Sequence, residues 1–121
     1  MSMPLALTLS ELLEKKCRNL DTALTPPQID AGLALIAGWK LQAGKVAKTF
    51  DFKNYHETLA FINAIAYVIH AEDHHPELVV TYNRCIVRFD THSVNGGKGG
   101  ISENDFICAA KVDAIFQQSF A

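Results

Sequence analysis

Four of the five histidines in this 121-residue chain fall between positions 70 and 92: His70, His74, His75 and His92. An imidazole titrates near neutrality, so one such side chain can donate a proton while another accepts one. His70 and His74 are four residues apart and share a face if a helix reaches that far. Pro76 disfavours helix at His75, which puts the His74-His75 pair at a helix exit. Three chemistries fit these residues. They could be plain surface cations at a helix C-terminus, favoured by its dipole. They could ligate a metal, with Glu72, Asp73 or His92 completing the shell around an i, i+4 pair. They could form an acid–base site with no metal.

The surrounding elements decide whether these residues can meet. Asn54 is a candidate N-cap for a helix from about Tyr55 to His70. Leu59, Ile62, Ala66 and Ile69 recur there at 3.6-residue spacing, and Phe61, Ile65 and Val68 add a second apolar row. A helix that is apolar over more than one stripe is sandwiched or lies in a subunit interface. Leu78 to Tyr82 and Cys85 to Thr91 read as a hairpin turning near Asn83-Arg84. It delivers His92 from its second strand, with Cys85, Val87 and Phe89 on one face and Ile86, Arg88, Asp90 and His92 on the other. Ser102 to Asp105 has the form of a capping box that opens a helix running to about Gln118.

Upstream, Leu9 to Leu20 fits a short helix with Leu9, Leu12, Leu13 and Lys16 on one stripe. Thr25-Pro26-Pro27 reads as an N-cap followed by first-turn prolines, with Ile29, Leu33 and Ile36 on the apolar face and Gly38 as its C′ stop. Trp39 to Leu41 and Val46 to Phe52 read as two strands joined by Gln42 to Lys45. The expected fold class is α+β: a two-layer sandwich, with a four-stranded antiparallel sheet covered on one face by three helices. The expected organisation is a single domain over 1–121, with an N-terminal extension of about 1–22. The glycine-rich stretch Asn95 to Gly100 has neither GxGxxG nor GK[ST], so it is no phosphate cradle. It reads as a surface insertion rather than a mobile flap beside His92.

Composition narrows the function classes. Hydrophobic residues make up 49% and charged residues 20%, which is enough apolar surface for a folded core. With 11 Lys+Arg against 13 Asp+Glu the net charge is −2, and the pI is near 6.2, which argues against nucleic acid as a partner. No apolar run approaches the length of a spanning helix, so no membrane role is expected. Met1 to Leu9 lacks the basic start of a signal peptide, which points to a cytoplasmic protein. Cys17, Cys85 and Cys108 form no CxxC pair and read as reduced, buried thiols.

The order and spacing of His70, His74-His75-Pro76, Tyr82, His92 and Asp105 resemble the signature of pterin-4a-carbinolamine dehydratases. Gly38-Trp39, the Val46 to Phe52 strand and the Ile101 to Asp105 turn also resemble that family, so the likeness covers about residues 24–118. The resemblance implies dehydration of 4a-hydroxytetrahydropterin to the quinonoid dihydropterin, the recycling step after an aromatic amino acid hydroxylase. It implies that no metal and no organic cofactor is needed. The three family histidines correspond to His74, His75 and His92 as catalytic residues. Trp39, His70, Asp73 and Asp105 are the matching substrate-binding positions. On this reading His74 and His92 act as acid and base, and His75 orients the pterin. Glu72, Asp73 or Asp105 holds an imidazole tautomer.

The family assembles as homodimers or homotetramers, which would use the wide apolar faces of the 55–70 and 102–118 helices. Animal members also serve as dimerisation partners of a transcription factor, so the alternative is an interaction module acting as a coactivator. Two departures stand out. His70 occupies a position that is often acidic in the family, and the loop Val94 to Gly100 is about four residues longer than usual.

Overall fold

The structure is a computed structural model, and it describes residue 6 and residues 8–121. The expectation about a leader in Met1 to Leu9 therefore falls largely outside the described residues. Among the described residues eight regular elements follow one another: α1 (Leu9–Glu14), α2 (Pro26–Leu33), β1 (Lys40–Gln42), β2 (Lys45–Asp51), α3 (Tyr55–Glu72), β3 (Glu77–Thr81), β4 (Arg84–Phe89) and α4 (Glu103–Ser119), with a 3₁₀ turn at Asn95–Gly97.

The strands form one antiparallel sheet in the order β1-β2-β4-β3. Alternation sends Val46 and Phe50 of β2, and Cys85, Val87 and Phe89 of β4, into the core. The α+β sandwich expected from the sequence is thus present. Its helical layer has a particular arrangement. α4 packs on the central strands β2 and β4, and α1, α2 and α3 pack against α4. This accounts for the apolar width of α4. Every residue from Glu103 to Ala110 is buried within the chain itself, so that half of the helix has no surplus face for a second subunit.

Local signals fixed most element starts. Thr25 and Gln28 form a capping box at α2, with prolines in its first turn. Asn54 caps α3 and Ser102 caps α4. The differences have local causes. α2 ends at Leu33, so Gly38 is not its C′ residue. Its φ of +87° instead turns the chain into β1. The second hairpin turns on Tyr82-Asn83, because Thr81 pairs with Arg84. Of the two apolar rows of α3, Phe61 and Ile65 face the core while Leu59 and Ala66 stay on the outer face.

The first helix is shorter than its apolar stripe suggested. It stops at Glu14, and the chain runs extended from Lys15. The reason lies 55 to 97 residues away. The Cys17 N–H donates to Glu72 Oε1 at 2.8 Å, and the Arg18 N–H to Asn104 Oδ1 at 3.2 Å. Asn104 Nδ2 donates back to the Arg18 carbonyl at 2.6 Å, and Lys111 Nζ to the Lys15 carbonyl at 2.7 Å. Lys15 and Arg18 both pair with the buried Glu103, which also accepts from the Ala6 N–H. Side chains of α3 and α4 thus supply the hydrogen bonds that another helical turn would have made.

Burial pushes the Glu72 carboxyl up. Hydrogen bonds from Lys111 and from the Cys17 N–H outweigh it, so the group lies below its ordinary value of 4.5. Glu103 is lowered in the same way, with burial opposed by Lys15, the Ala6 N–H and Arg18. A carboxyl lowered in the folded state stabilises fully above its unfolded value, and that contribution is lost as pH falls through the folded value. Glu72→Gln should cost about 2 kcal/mol at pH 7. In urea titrations its gap from wild type should narrow below pH 4.5 and close in strong acid. A gap that stayed constant with pH would rule out a role for the charge.

A second prediction concerns α2. A Cβ on Gly32 would lie 2.6 to 2.8 Å from three ring atoms of Phe106, a buried residue of α4. Gly32→Ala should therefore destabilise by about 1–3 kcal/mol through overpacking, despite the better helix propensity of alanine. Unfolding at or above the wild-type denaturant midpoint would contradict that packing.

Candidate active site

The site is built where three chain segments end. α3 ends at Glu72, and Asp73 follows in the left-handed region with φ 49° and ψ 43°. Aspartate tolerates that conformation better than most side chains. Its N–H donates to the His70 carbonyl, and the His74 N–H reaches the Ile69 carbonyl at 3.4 Å. This turn takes His74 off the helix. His70 remains exposed on the outer face of α3, so the expected shared face of His70 and His74 does not form.

His74 points instead to the start of α4. Its Nε2 lies 2.6 Å from Asp105 Oδ1, and its ring lies parallel to Phe89, with centroids 5.9 Å apart. Asp105 is fully buried. Its second oxygen, Oδ2, accepts from the Thr91 hydroxyl and from the Ser102 N–H, both at 2.9 Å. With the Thr91 proton given to Asp105, the Ser102 hydroxyl donates to Thr91 Oγ1 at 2.7 Å. A carboxylate only accepts, so the contact places a ring proton of His74 on Nε2, and in the neutral imidazole Nδ1 is then the acceptor.

His74 adjoins an open cleft of about 480 Å³, within the range of small-molecule sites. His75 and His92 line the same cleft. Their side chains are 69% and 86% exposed, against 12% for His74, so two histidines face solvent and one is held against the protein. His75 Nε2 lies 3.7 Å from Asp73 Oδ1, and His92 Nε2 lies 3.7 Å from Asp90 Oδ1. Glu72, Asn104, Cys17, Arg18 and Asn19 complete much of the wall.

Five of the seven residues expected at the site therefore come together. His74, His75, His92 and Asp73 line the cleft, and Asp105 lies directly behind His74. Trp39 and His70 are not among the residues lining it. Trp39 is buried in the core between Phe50 and Phe89, with its indole N–H unpartnered. Its alternative reading as a core residue is the one the packing bears out. Among the described residues, no three His, Cys, Asp or Glu side chains converge as a metal-binding group.

The sequence reading missed the Thr91 and Ser102 hydroxyls behind Asp105, the Phe89 ring under His74, and the 15–19 wall. The Thr91-His92 pair and the capping box were visible as local features. Nothing local indicated that they share one carboxylate.

The longer glycine loop is neither free nor simply inserted. A Thr91–Gly100 bridge closes it, and Val94 is buried inside it. Asn95 ties it to the N-terminal segment, donating its N–H to the Asp21 carbonyl and accepting from the Ala23 N–H. The three cysteines are free thiols. Cys85 is pushed up to about 11 by burial, and Cys108 is raised by contact with Cys17, their sulfurs 3.4 Å apart, and by burial. No helix among the described residues is long and apolar enough to cross a membrane.

Comparison with known proteins points the same way. The family profile described as pterin 4 alpha carbinolamine dehydratase matches residues 22–115. A relative from Bdellovibrio bacteriovorus is 61% identical over 112 residues, covering 93% of each chain. Another, from Nitrosomonas europaea, is 45% identical and covers 88% of this chain and 95% of its own. Both are named for the same dehydratase, and those names are themselves provisional. A crystal structure described as a transcriptional coactivator/pterin dehydratase from Brucella melitensis superposes with a TM-score of 0.70 at 31% identity. The match covers 78% of this chain and 98% of the Brucella chain. With the fold, the histidine cleft and these likenesses in agreement, the chain belongs to the pterin-4α-carbinolamine dehydratase family of hydro-lyases.

Proposed function

We propose that this protein dehydrates 4a-hydroxytetrahydropterin to the quinonoid dihydropterin by histidine acid–base catalysis. The observation that carries the mechanism is the His74–Asp105 pair at 2.6 Å. The substrate bears a hydroxyl on C4a next to N5–H. Loss of water requires a proton for the leaving hydroxyl and removal of the proton on N5. Asp105 holds the Nε2 proton of His74, which leaves Nδ1 as the acceptor and suits His74 to act as the base toward N5–H. His92, exposed at the cleft, delivers the proton that leaves with the hydroxyl as water. His75 and Asp73 bind and orient the pterin. The proton balance closes, since one proton enters at the hydroxyl and one leaves from N5. In a cell this reaction would follow an aromatic amino acid hydroxylase and hand the quinonoid dihydropterin to a separate reductase that restores the tetrahydropterin, and a cytoplasmic location agrees with that role.

A positioned proton-transfer group contributes about 10²–10⁴-fold. His74→Ala should lose a factor in that range in kcat while keeping its folded CD spectrum. Asp105→Asn should lose a similar factor, because the amide can donate to Nε2 and so favours the other tautomer. Near-wild-type kcat in His74→Ala would remove His74 from the mechanism.

A second reading is favoured by one observation. The outer face of α3 leaves Tyr55, Leu59, Ala66 and Tyr67 exposed, with Tyr67 at 76%. We infer that this face joins copies of the chain as a homodimer or homotetramer. The same face would serve an interaction module of the coactivator kind. Turnover no faster than spontaneous dehydration would favour the module over the enzyme. The double variant Leu59→Glu with Ala66→Glu should be monomeric by light scattering, with an unchanged CD spectrum. Retention of the wild-type mass would place the contact elsewhere.

A further inference from the structure

The extended segment Lys15 to Asn19 precedes residues 22–115, the stretch matched by the family profile, so no family residue role reaches it. Its anchoring is nonetheless specific. Glu72, Glu103 and Asn104 are all buried, and each bonds this segment, while the second oxygen of Glu72 holds Lys111, which itself donates to the Lys15 carbonyl. Burying two carboxylates and an amide is costly unless every group is paired. The pairing here holds a short surface strap in one defined position. That position is a wall of the histidine cleft.

The three strap residues in the wall differ in what they have left to offer. The Cys17 thiol is turned toward Cys108 and the Asn104 carbonyl. The Arg18 guanidinium pairs with Glu103 through Nη1, and its unpartnered Nη2 is buried away from the open cleft. The exposed Asn19 side chain has no hydrogen-bond partner among the described residues. A carboxamide presents a donor and an acceptor side by side in one plane. The pyrimidine edge of a pterin presents the complement, with an acceptor at the 4-oxo group beside a donor at N3–H. The cleft carboxylates, Asp73 and Asp90, can accept from N3–H but have nothing to give the 4-oxo group.

We propose that the Lys15 to Asn19 strap is a substrate-positioning wall of the active site, and that the Asn19 carboxamide pairs with the 4-oxo/N3–H edge of the pterin. This rests on the dehydratase reading above. Asn19 is a positioning residue. It sets where the ring lies and takes no part in the proton transfers.

The test is Asn19→Ala, assayed for turnover of 4a-hydroxytetrahydropterin and for equilibrium binding of a 7,8-dihydropterin, followed by fluorescence. A neutral hydrogen-bonded pair lost in this way should raise KM and Kd together by about threefold to tenfold. kcat and Tm should stay at wild-type values, which a merely structural role for Asn19 would not produce. Asn19→Asp keeps the size but loses the donor to the 4-oxo group, so it should bind no better than the alanine variant. If wild type turns over and Asn19→Ala has wild-type KM and Kd, the proposal is overturned while the dehydratase reading stands. If wild type neither turns over the substrate nor binds the dihydropterin, the dehydratase reading fails and the proposal falls with it.

Discussion

The carboxylate of Asp105 is the constraint on which the rest of this site depends. It is fully buried, and a buried carboxylate is tolerable only when its oxygens are saturated with donors. Three donors saturate this one: the Ser102 N–H, the Thr91 hydroxyl and the His74 ring. They come from the start of α4, the segment just after β4 and the turn after α3. Satisfying one charge therefore fixes three chain segments against one another at hydrogen-bond distance. The Ser102 contact belongs to a capping box and opens the helix, while the His74 contact sets an imidazole tautomer. Helix initiation and the orientation of the proposed base are two effects of the same group. The position is also electrostatically apt, because a helix N-terminus favours negative charge.

The same end of α4 governs the N-terminal segment. Glu103 and Asn104, the two residues before Asp105, face the strap, and Glu72 meets it from the end of α3. Ion pairs of this kind add little net stability but penalise every alternative placement of the chain. The chain gives up a longer first helix in exchange for a fixed wall. Three consecutive polar residues are therefore buried at the start of α4, where an amphipathic helix would ordinarily show only one side to the core. α3 has the opposite balance. Its inner row meets the core, while Leu59, Ala66 and Tyr67 on its outer face stay exposed.

The degree to which each feature was legible follows the range of the interaction behind it. Helix starts were legible because a cap and its target lie within three residues, as at Thr25, Asn54 and Ser102. Strand faces were legible because alternation is a property of the strand itself, as in Cys85, Val87 and Phe89. Helix ends were less so. α1 stopped early because tertiary donors and acceptors replaced local ones, whereas α2 ended in local turns over residues 32–36 and left Gly38 to turn the chain into β1. The i, i+4 spacing of His70 and His74 predicts a shared face, and a single left-handed residue, Asp73, breaks that geometry. Trp39 was a strand-start aromatic that could serve a core or a pocket, and only packing against Phe50 and Phe89 decided for the core.

By itself, then, the sequence determined the fold class, the order of elements, and the chain ends on which the histidines lie. These depend on periodicity and on contacts a few residues apart. Only the tertiary structure decided that His74 is the partly buried, oriented member while His75 and His92 stay exposed at the cleft. It also decided that Asp105 joins helix cap to imidazole, and that a segment around residue 18 walls a cleft made by residues 72–104. Such contacts depend on how whole elements register against one another when their faces are buried. No local pattern encodes that register, because each partner would have the same neighbours in sequence wherever the other lay.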